Sequence, residues 1–204
     1  IKVYIDATYG KILGALSTLK QISQAYKGDI NVIFYYAGHG VPNEKNNEAY
    51  LLPADATPSM LEACLPLSSL YSSIGSIDAK QAIVFMDACF SGSRRENGMI
   101  VSARGVAIKP KKDIVTGNVV VFSAADGSET AYPYKEKGHG LFTYFLLKKL
   151  KESRGNVTLG DLADYVKTNV SQKSIVVNNK SQTPTISSSA QMQDVWRTMK
   201  LFRK

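Results

Sequence analysis

Three short apolar runs constrain this chain most: NVIFYYA at Asn31–Ala37, AIVFMD at Ala82–Asp87 and VVVFS at Val119–Ser123. Each is rich in β-branched and aromatic residues, and none alternates with polar ones. A strand with one wet face alternates, whereas a continuous apolar strand needs cover on both faces, as in a parallel sheet. Parallel neighbours require crossover connections, and helical patterns stand between the runs. Ile12, Leu16, Leu19, Ile22 and Tyr26 recur at helical spacing. Leu141, Phe142, Phe145, Leu146 and Leu150 do the same after Gly140, with Gly155-Asn156 as a stop signal. Thr158, with Asp161 three residues on, reads as a capping-box variant opening a helix over Leu159–Val170. Val3–Ile5 predicts a further strand, and Val195–Phe202 a closing edge strand. Ser91–Gly117 and Ser171–Ser189 read as loops. The fold class is therefore α/β, with a mostly parallel sheet flanked by helices in a single domain over 1–204.

Composition narrows the chemistry. Hydrophobic residues make up 44% and charged ones 21%, enough to build a core. The two cysteines, Cys64 and Cys89, exclude a disulfide framework, and with only His39 and His139 beside them they make no cysteine-based zinc site. No apolar run approaches the roughly 18 residues of a membrane span. The net charge of +8 invites a polyanionic partner until it is mapped. Six basic residues and one acidic stand between Arg94 and Lys112, and four basic and none acidic between Arg197 and Lys204. The rest of the chain holds 15 basic and 16 acidic residues, so the excess belongs to one loop and one tail. Neither a nucleic-acid nor a membrane partner is expected. The chain begins Ile1-Lys2-Val3-Tyr4 without an initiator Met, and reads as a processed piece of a longer protein, its localisation undetermined.

In open parallel sheets, reactive groups gather at the carboxyl ends of the strands. The first run leads directly into Gly38-His39-Gly40 and the second into Ala88-Cys89-Phe90-Ser91-Gly92. If both strands are parallel members of one sheet, an imidazole and a thiol fifty residues apart emerge at one edge. The thiolate is the nucleophilic form, and a nearby imidazole can take its proton and later protonate a leaving amine. Glycines beside the histidine let a substrate backbone approach. The backbone N–H groups of Gly40 and Cys89 are candidates for an oxyanion hole.

Tyr36-Ala37-Gly38-His39-Gly40 followed by Asp87-Ala88-Cys89-Phe90-Ser91-Gly92 resembles the caspase-like cysteine peptidases (peptidase C14), in particular their bacterial metacaspase or orthocaspase branch. Tyr50–Asp55, Ser123–Ala131, His139–Thr143 and Gln182-Thr183-Pro184 resemble segments of the same family in the same order, so the likeness covers nearly the whole chain. It implies a three-layer caspase-like sandwich and a cysteine endopeptidase with Cys89 and His39 as its catalytic pair. Asp87, two residues before the thiol, is implied to line the pocket for the substrate's first side chain and to select Arg or Lys. A buried carboxylate favours a cationic guest, which agrees; capping of the following turn is the plainer reading of the same residue.

The family begins with a strand and helix upstream of Ile1, so a separate N-terminal fragment of the same protein is an expected partner, besides protein or peptide substrates bearing Arg or Lys. Some relatives bind calcium after the nucleophile. Here SRRENGMIVSARGVAIKPKKD is basic, so no metal or other cofactor is expected. Ala37 stands where eukaryotic metacaspases often carry Ser. The basic loop reads as a solvated face, an anion-binding patch or a self-cleavage segment, with candidate bonds after Arg94, Arg95, Arg104, Lys109, Lys111 and Lys112. His139 reads as a helix-start residue and Cys64 as inert. Asp126 and Glu129 fit either a substrate groove or a solvated turn. The rival to an enzyme is a non-catalytic scaffold of the same fold.

Overall fold

The three apolar runs become parallel strands of one sheet. In the computed structural model, which describes residues 1–90 and 113–202, the chain passes in order through α1 (Tyr9–Ala25), β1 (Asn31–Ala37), β2 (His39–Pro42), β3 (Ala49–Leu52), β4 (Leu65–Pro66), α2 (Leu67–Gly75) and β5 (Gln81–Asp87). It continues through β6 (Val119–Ser123), β7 (Pro133–Tyr134), β8 (His139–Gly140), α3 (Leu141–Ser153), α4 (Leu159–Asn178) and β9 (Thr185–Ser188). The main sheet has the order β1-β5-β6-β9, with the first three strands parallel and β9 antiparallel to β6.

Alternate residues of the inner strands face opposite cores. Ala82, Val84, Met86, Val119 and Val121 pack with Ile12 and Leu16 of α1 and with Leu70 and Ile74 of α2. Ile83, Phe85, Val120 and Phe122 pack with Leu141, Phe142 and Leu146 of α3 and Leu162 and Val166 of α4. Each such side chain larger than that of Ala82 contributes about 1.5–3 kcal/mol when fully buried. Helices on both faces explain why these strands read as continuous apolar runs.

β1 departs from that pattern. Val32 is buried, but Ile33 and Tyr35 on the other face are 41% and 46% exposed. β1 lies at the edge of the sheet, and the α3–α4 layer is built chiefly over β5 and β6. Val3–Ile5 forms no strand, and Val3 and Ile5 are 78% and 79% exposed. A strand needs a partner ladder, and no described residue pairs with the outer edge of β1. In α1 the buried stripe is Ile12, Leu16 and Ser23, while Ile22 and Tyr26 are exposed. Ser23 Oγ donates to the Asp78 carbonyl, a close approach that suits a small side chain.

Two expectations near the C-terminus fail for one reason. Ser171–Ser189 is not a loop: α4 continues to Asn178, and Thr185–Ser188 forms β9. The polar sequence is held by tertiary partners, because Ser174 Oγ accepts from Gln182 N–H and Ile186 packs on the α3–α4 core. Since β9 occupies the outer edge of β6, Val195–Phe202 cannot be the edge strand. It forms a 3₁₀ turn at Trp196–Thr198, and Trp196 meets Phe122 edge-on at 6.3 Å.

A small antiparallel sheet, β2-β3-β4, was absent from the sequence reading. Its first hairpin turns through Asn43–Glu48. There the side-chain oxygens of Asn43 and Asn46 accept the backbone N–H groups of Lys45 and Glu48, and Asn47 adopts φ 57°.

Candidate active site

The register of β1 on β5 decides what meets at the sheet's carboxyl edge. Ala37 lies opposite Asp87, and Gly38 N–H donates to the Asp87 carbonyl at 3.2 Å. One residue later the first chain starts β2 at His39; two residues after Asp87 the second reaches Cys89. The two segments then touch. A Cβ on Gly40 would lie 2.2 Å from Phe90 Cδ1 and 2.7 Å from the Cys89 carbonyl, so only glycine allows this approach. His39 is exposed at this edge, and Cys89 is buried.

Tyr36 holds the backbone at His39. Its hydroxyl donates to the His39 carbonyl at 2.9 Å and lies 3.2 Å from the Leu52 carbonyl, tying β1 to both strands of the small hairpin. A Cβ on Gly38 would come within 2.6 Å of that hydroxyl. In the sequence Tyr36 opens the family-like segment Tyr36-Ala37-Gly38-His39-Gly40, but nothing there assigns its hydroxyl a partner.

On its other side Cys89 meets the loop after β6. The thiol donates to the Glu129 carbonyl at 3.6 Å. Gln182, fully buried, clasps both ends of that loop: its amide oxygen accepts Tyr132 N–H at 2.8 Å and its amide nitrogen donates to the Ala124 carbonyl at 2.9 Å. Thr183 donates its N–H and hydroxyl to the Glu129 carboxylate. Glu129 thus serves a clasp, while Asp126 accepts from Ser128 N–H and Oγ in its own turn. The motif Gln182-Thr183-Pro184 was visible in the sequence, but not its use.

Asp87 is 3% exposed at the end of β5. Thr143 Oγ1, in the first turn of α3, donates to Asp87 Oδ2 at 2.6 Å, and Tyr35 Oη lies 2.7 Å from Thr143 Oγ1. Gly140 packs against the same carboxylate, where a Cβ would fall 2.2 Å from Oδ2. The first turn of α3 also sets the positive end of a helix dipole beside this carboxylate. Thr143 closes the family-like segment His139–Thr143 but has no role assigned from sequence; its signal is a hydroxyl inside the apolar helix pattern LFTYFLL.

The other candidates lie elsewhere. Cys64 is 2% exposed, its thiol donates to the Met60 carbonyl, and burial, then the nearby Glu62 carboxylate, push its pKa up. His139 is exposed in β8, opposite Tyr134 and two residues before α3. Arg94, Arg95, Arg104, Lys109, Lys111 and Lys112 lie outside the described residues. Among the described residues no three His, Cys, Asp or Glu side chains group as a metal site.

The chain is similar to known proteins over two thirds or more of its length. A paracaspase of Dictyostelium discoideum is 29% identical over 139 residues, covering 68% of this chain and 31% of the relative. A probable protease of a Desulfuromonadales bacterium is 26% identical over 159 residues, covering 76% of this chain and 19% of the relative. The chain therefore spans about a third or less of the curated relatives it matches. Among solved structures, caspase-1 from Spodoptera frugiperda superposes with a TM-score of 0.61 at 15% identity, over 92% of this chain and 70% of that one. A Geobacter sulfurreducens protein does so with the same TM-score at 20% identity, over 90% and 74%. The caspase-domain profile of peptidase C14 matches residues 1–195, and this chain belongs to that family.

Proposed function

We propose that this domain is a cysteine endopeptidase that hydrolyses peptide bonds after Arg or Lys. The observation that carries the reading is the β1–β5 register, which brings the His39 and Cys89 segments into contact at one sheet edge. The Cys89 sulfur attacks the scissile carbonyl carbon, its proton passing to His39. Backbone N–H groups of Gly40 and Cys89 stabilise the oxyanion. The C–N bond breaks as His39 protonates the leaving amine, and water then hydrolyses the thioester, regenerating the thiol. Asp87 receives the basic side chain, whose charge offsets that of a buried carboxylate.

Self-processing belongs to the same reading. A basic segment directly follows the nucleophile, and Arg94, Arg95, Arg104, Lys109, Lys111 and Lys112 are its candidate bonds. The exposed apolar residues of β1 support docking of a further strand, supplied by a separate N-terminal fragment of the same protein.

A panel of peptides differing at the cleaved residue tests the assignment on the wild type, Cys89→Ala and Asp87→Asn. The wild type is expected to cleave after Arg and Lys, Cys89→Ala to be inactive, and Asp87→Asn to lose the basic preference. Cleavage after Asp alone would refute the role of Asp87, and activity surviving in Cys89→Ala would refute the nucleophile. No cleavage of any peptide favours the scaffold reading. Intact mass after storage, compared between wild type and Cys89→Ala, reads self-processing.

A further inference from the structure

Asp87 is joined to two hydroxyls that the cleavage chemistry does not require, and their order is fixed by proton counting. Thr143 has one hydroxyl proton, and it goes to Asp87 Oδ2 at 2.6 Å. The 2.7 Å contact between Thr143 and Tyr35 must then be donated by Tyr35. The chain Tyr35 to Thr143 to Asp87 spans β1, α3 and β5. Thr143 and Asp87 are buried, at 7% and 3% exposure, whereas Tyr35 is not.

Such a chain controls orientation. The terminal torsion of an aspartate is broad and two-fold, so a carboxylate with no fixed partner can present its plane at many angles. A donor rooted in the first turn of α3 fixes that plane from one side, and Gly140 lets α3 come close enough to do it. The plane matters for one class of guest. A guanidinium binds a carboxylate through two parallel N–H donors in a fixed fork, whereas an ammonium is a point charge indifferent to the plane.

We propose that Thr143, backed by Tyr35, is the positioning residue that sets the plane of the Asp87 carboxylate and makes the pocket prefer Arg over Lys. This rests on the reading of Asp87 as the receiver of the basic side chain. The hydroxyl acts through Asp87 and touches no substrate. Its removal therefore weakens binding of the guanidinium fork and leaves the thiol chemistry intact.

The test is steady-state kinetics of the full chain on paired peptide-aminomethylcoumarin substrates that differ only in Arg or Lys at the cleaved residue. Wild type is expected to favour Arg by roughly tenfold in kcat/KM, the value of one good charge-assisted hydrogen bond. In Thr143→Val the Arg:Lys ratio falls to about two, chiefly through KM for Arg, with kcat changed by no more than about twofold. Thr143→Ser restores the ratio, because it restores the donor. Tyr35→Phe lowers it by about two- to threefold, since it removes only the second hydroxyl.

An unchanged ratio in a Thr143→Val protein with wild-type thermal unfolding overturns the proposal. So does an equal loss for Arg and Lys, or failure of Thr143→Ser to restore the ratio. If Thr143→Val does not fold, Tyr35→Phe decides, and an unchanged ratio there overturns it. Arg and Lys cleavage abolished by Asp87→Asn, with the ratio indifferent to Thr143, sinks this inference alone. A wild type that cleaves after neither residue sinks both readings.

Discussion

Gly140 shows how tightly single residues define this edge. Its missing side chain is the space in which the Asp87 carboxylate sits, since a Cβ would lie 2.2 Å from Oδ2 and 3.0 Å from Oδ1. Gly140→Ala must push the carboxylate off Thr143 or shift the start of α3. In the proposed enzyme, cleavage after Arg is expected to fall at least about tenfold, the cost of misplacing a charge-assisted contact. Circular dichroism should show an unchanged fold. Unaltered kinetics in Gly140→Ala would mean that the carboxylate tolerates displacement and that its position is unimportant. Gly40 is confined in the same way, by the ring of Phe90 and the carbonyl of Cys89. Neither restriction can be read from sequence, because the groups that cause it stand some fifty residues away.

At the level of elements, α2 carries a titration with a definite sign. Tyr71 is buried on this helix, and burial, then the nearby Asp113 carboxylate, push its pKa well above the usual tyrosine value. A group whose folded pKa is raised stabilises the fold fully below its unfolded pKa, near 10, and that contribution disappears as pH rises beyond it. Each pH unit above 10 therefore costs up to about 1.4 kcal/mol at this residue. Urea unfolding at pH 9 and pH 11 should show wild type losing more stability than Tyr71→Phe. Equal losses would contradict the burial argument.

Elements also mark what the sequence could and could not convey. The strands β1, β5 and β6 were legible almost to the residue, because a continuous apolar run has few other uses. The limits of α3 were legible from Gly140 and Gly155. The C-terminal half of α4 and all of β9 were not, since Ser174, Gln182 and three of the four residues of Thr185–Ser188 are polar and gain their structure from tertiary partners. Of the site, the glycines, His39, Cys89 and Asp87 carried a local signal. The roles of Tyr35, Tyr36 and Thr143 did not show, although the last two lie in family-like segments, because their hydroxyls acquire meaning only across β1, β3 and α3.

At the scale of the whole molecule, two cores share one sheet. β5 and β6 contribute to both, through Ile83, Phe85, Val120 and Phe122 on one face and Val84, Met86, Val119 and Val121 on the other. Neither core can open without exposing the back of the other, so unfolding should be a single transition. Trp196, the one tryptophan, reports the α3–α4 side through its contact with Phe122. Its fluorescence and far-UV circular dichroism should trace the same urea curve, whereas an earlier fluorescence change would mean that the two cores part independently. Phe122→Ala should cost about 3–5 kcal/mol by both probes.

The shared sheet also brings the Gly40 and Cys89 segments together, and reactivity of the two thiols tests the proposed Cys89–His39 pair most directly. The measurement is the rate of iodoacetamide alkylation at Cys89 and at Cys64 in one sample, followed by peptide mass spectrometry on wild type and His39→Ala. A thiol served by an imidazole should react at least about tenfold faster than buried Cys64, whose pKa is raised, and should lose that advantage in His39→Ala. Equal rates at the two cysteines, or a Cys89 rate indifferent to His39, would contradict the account.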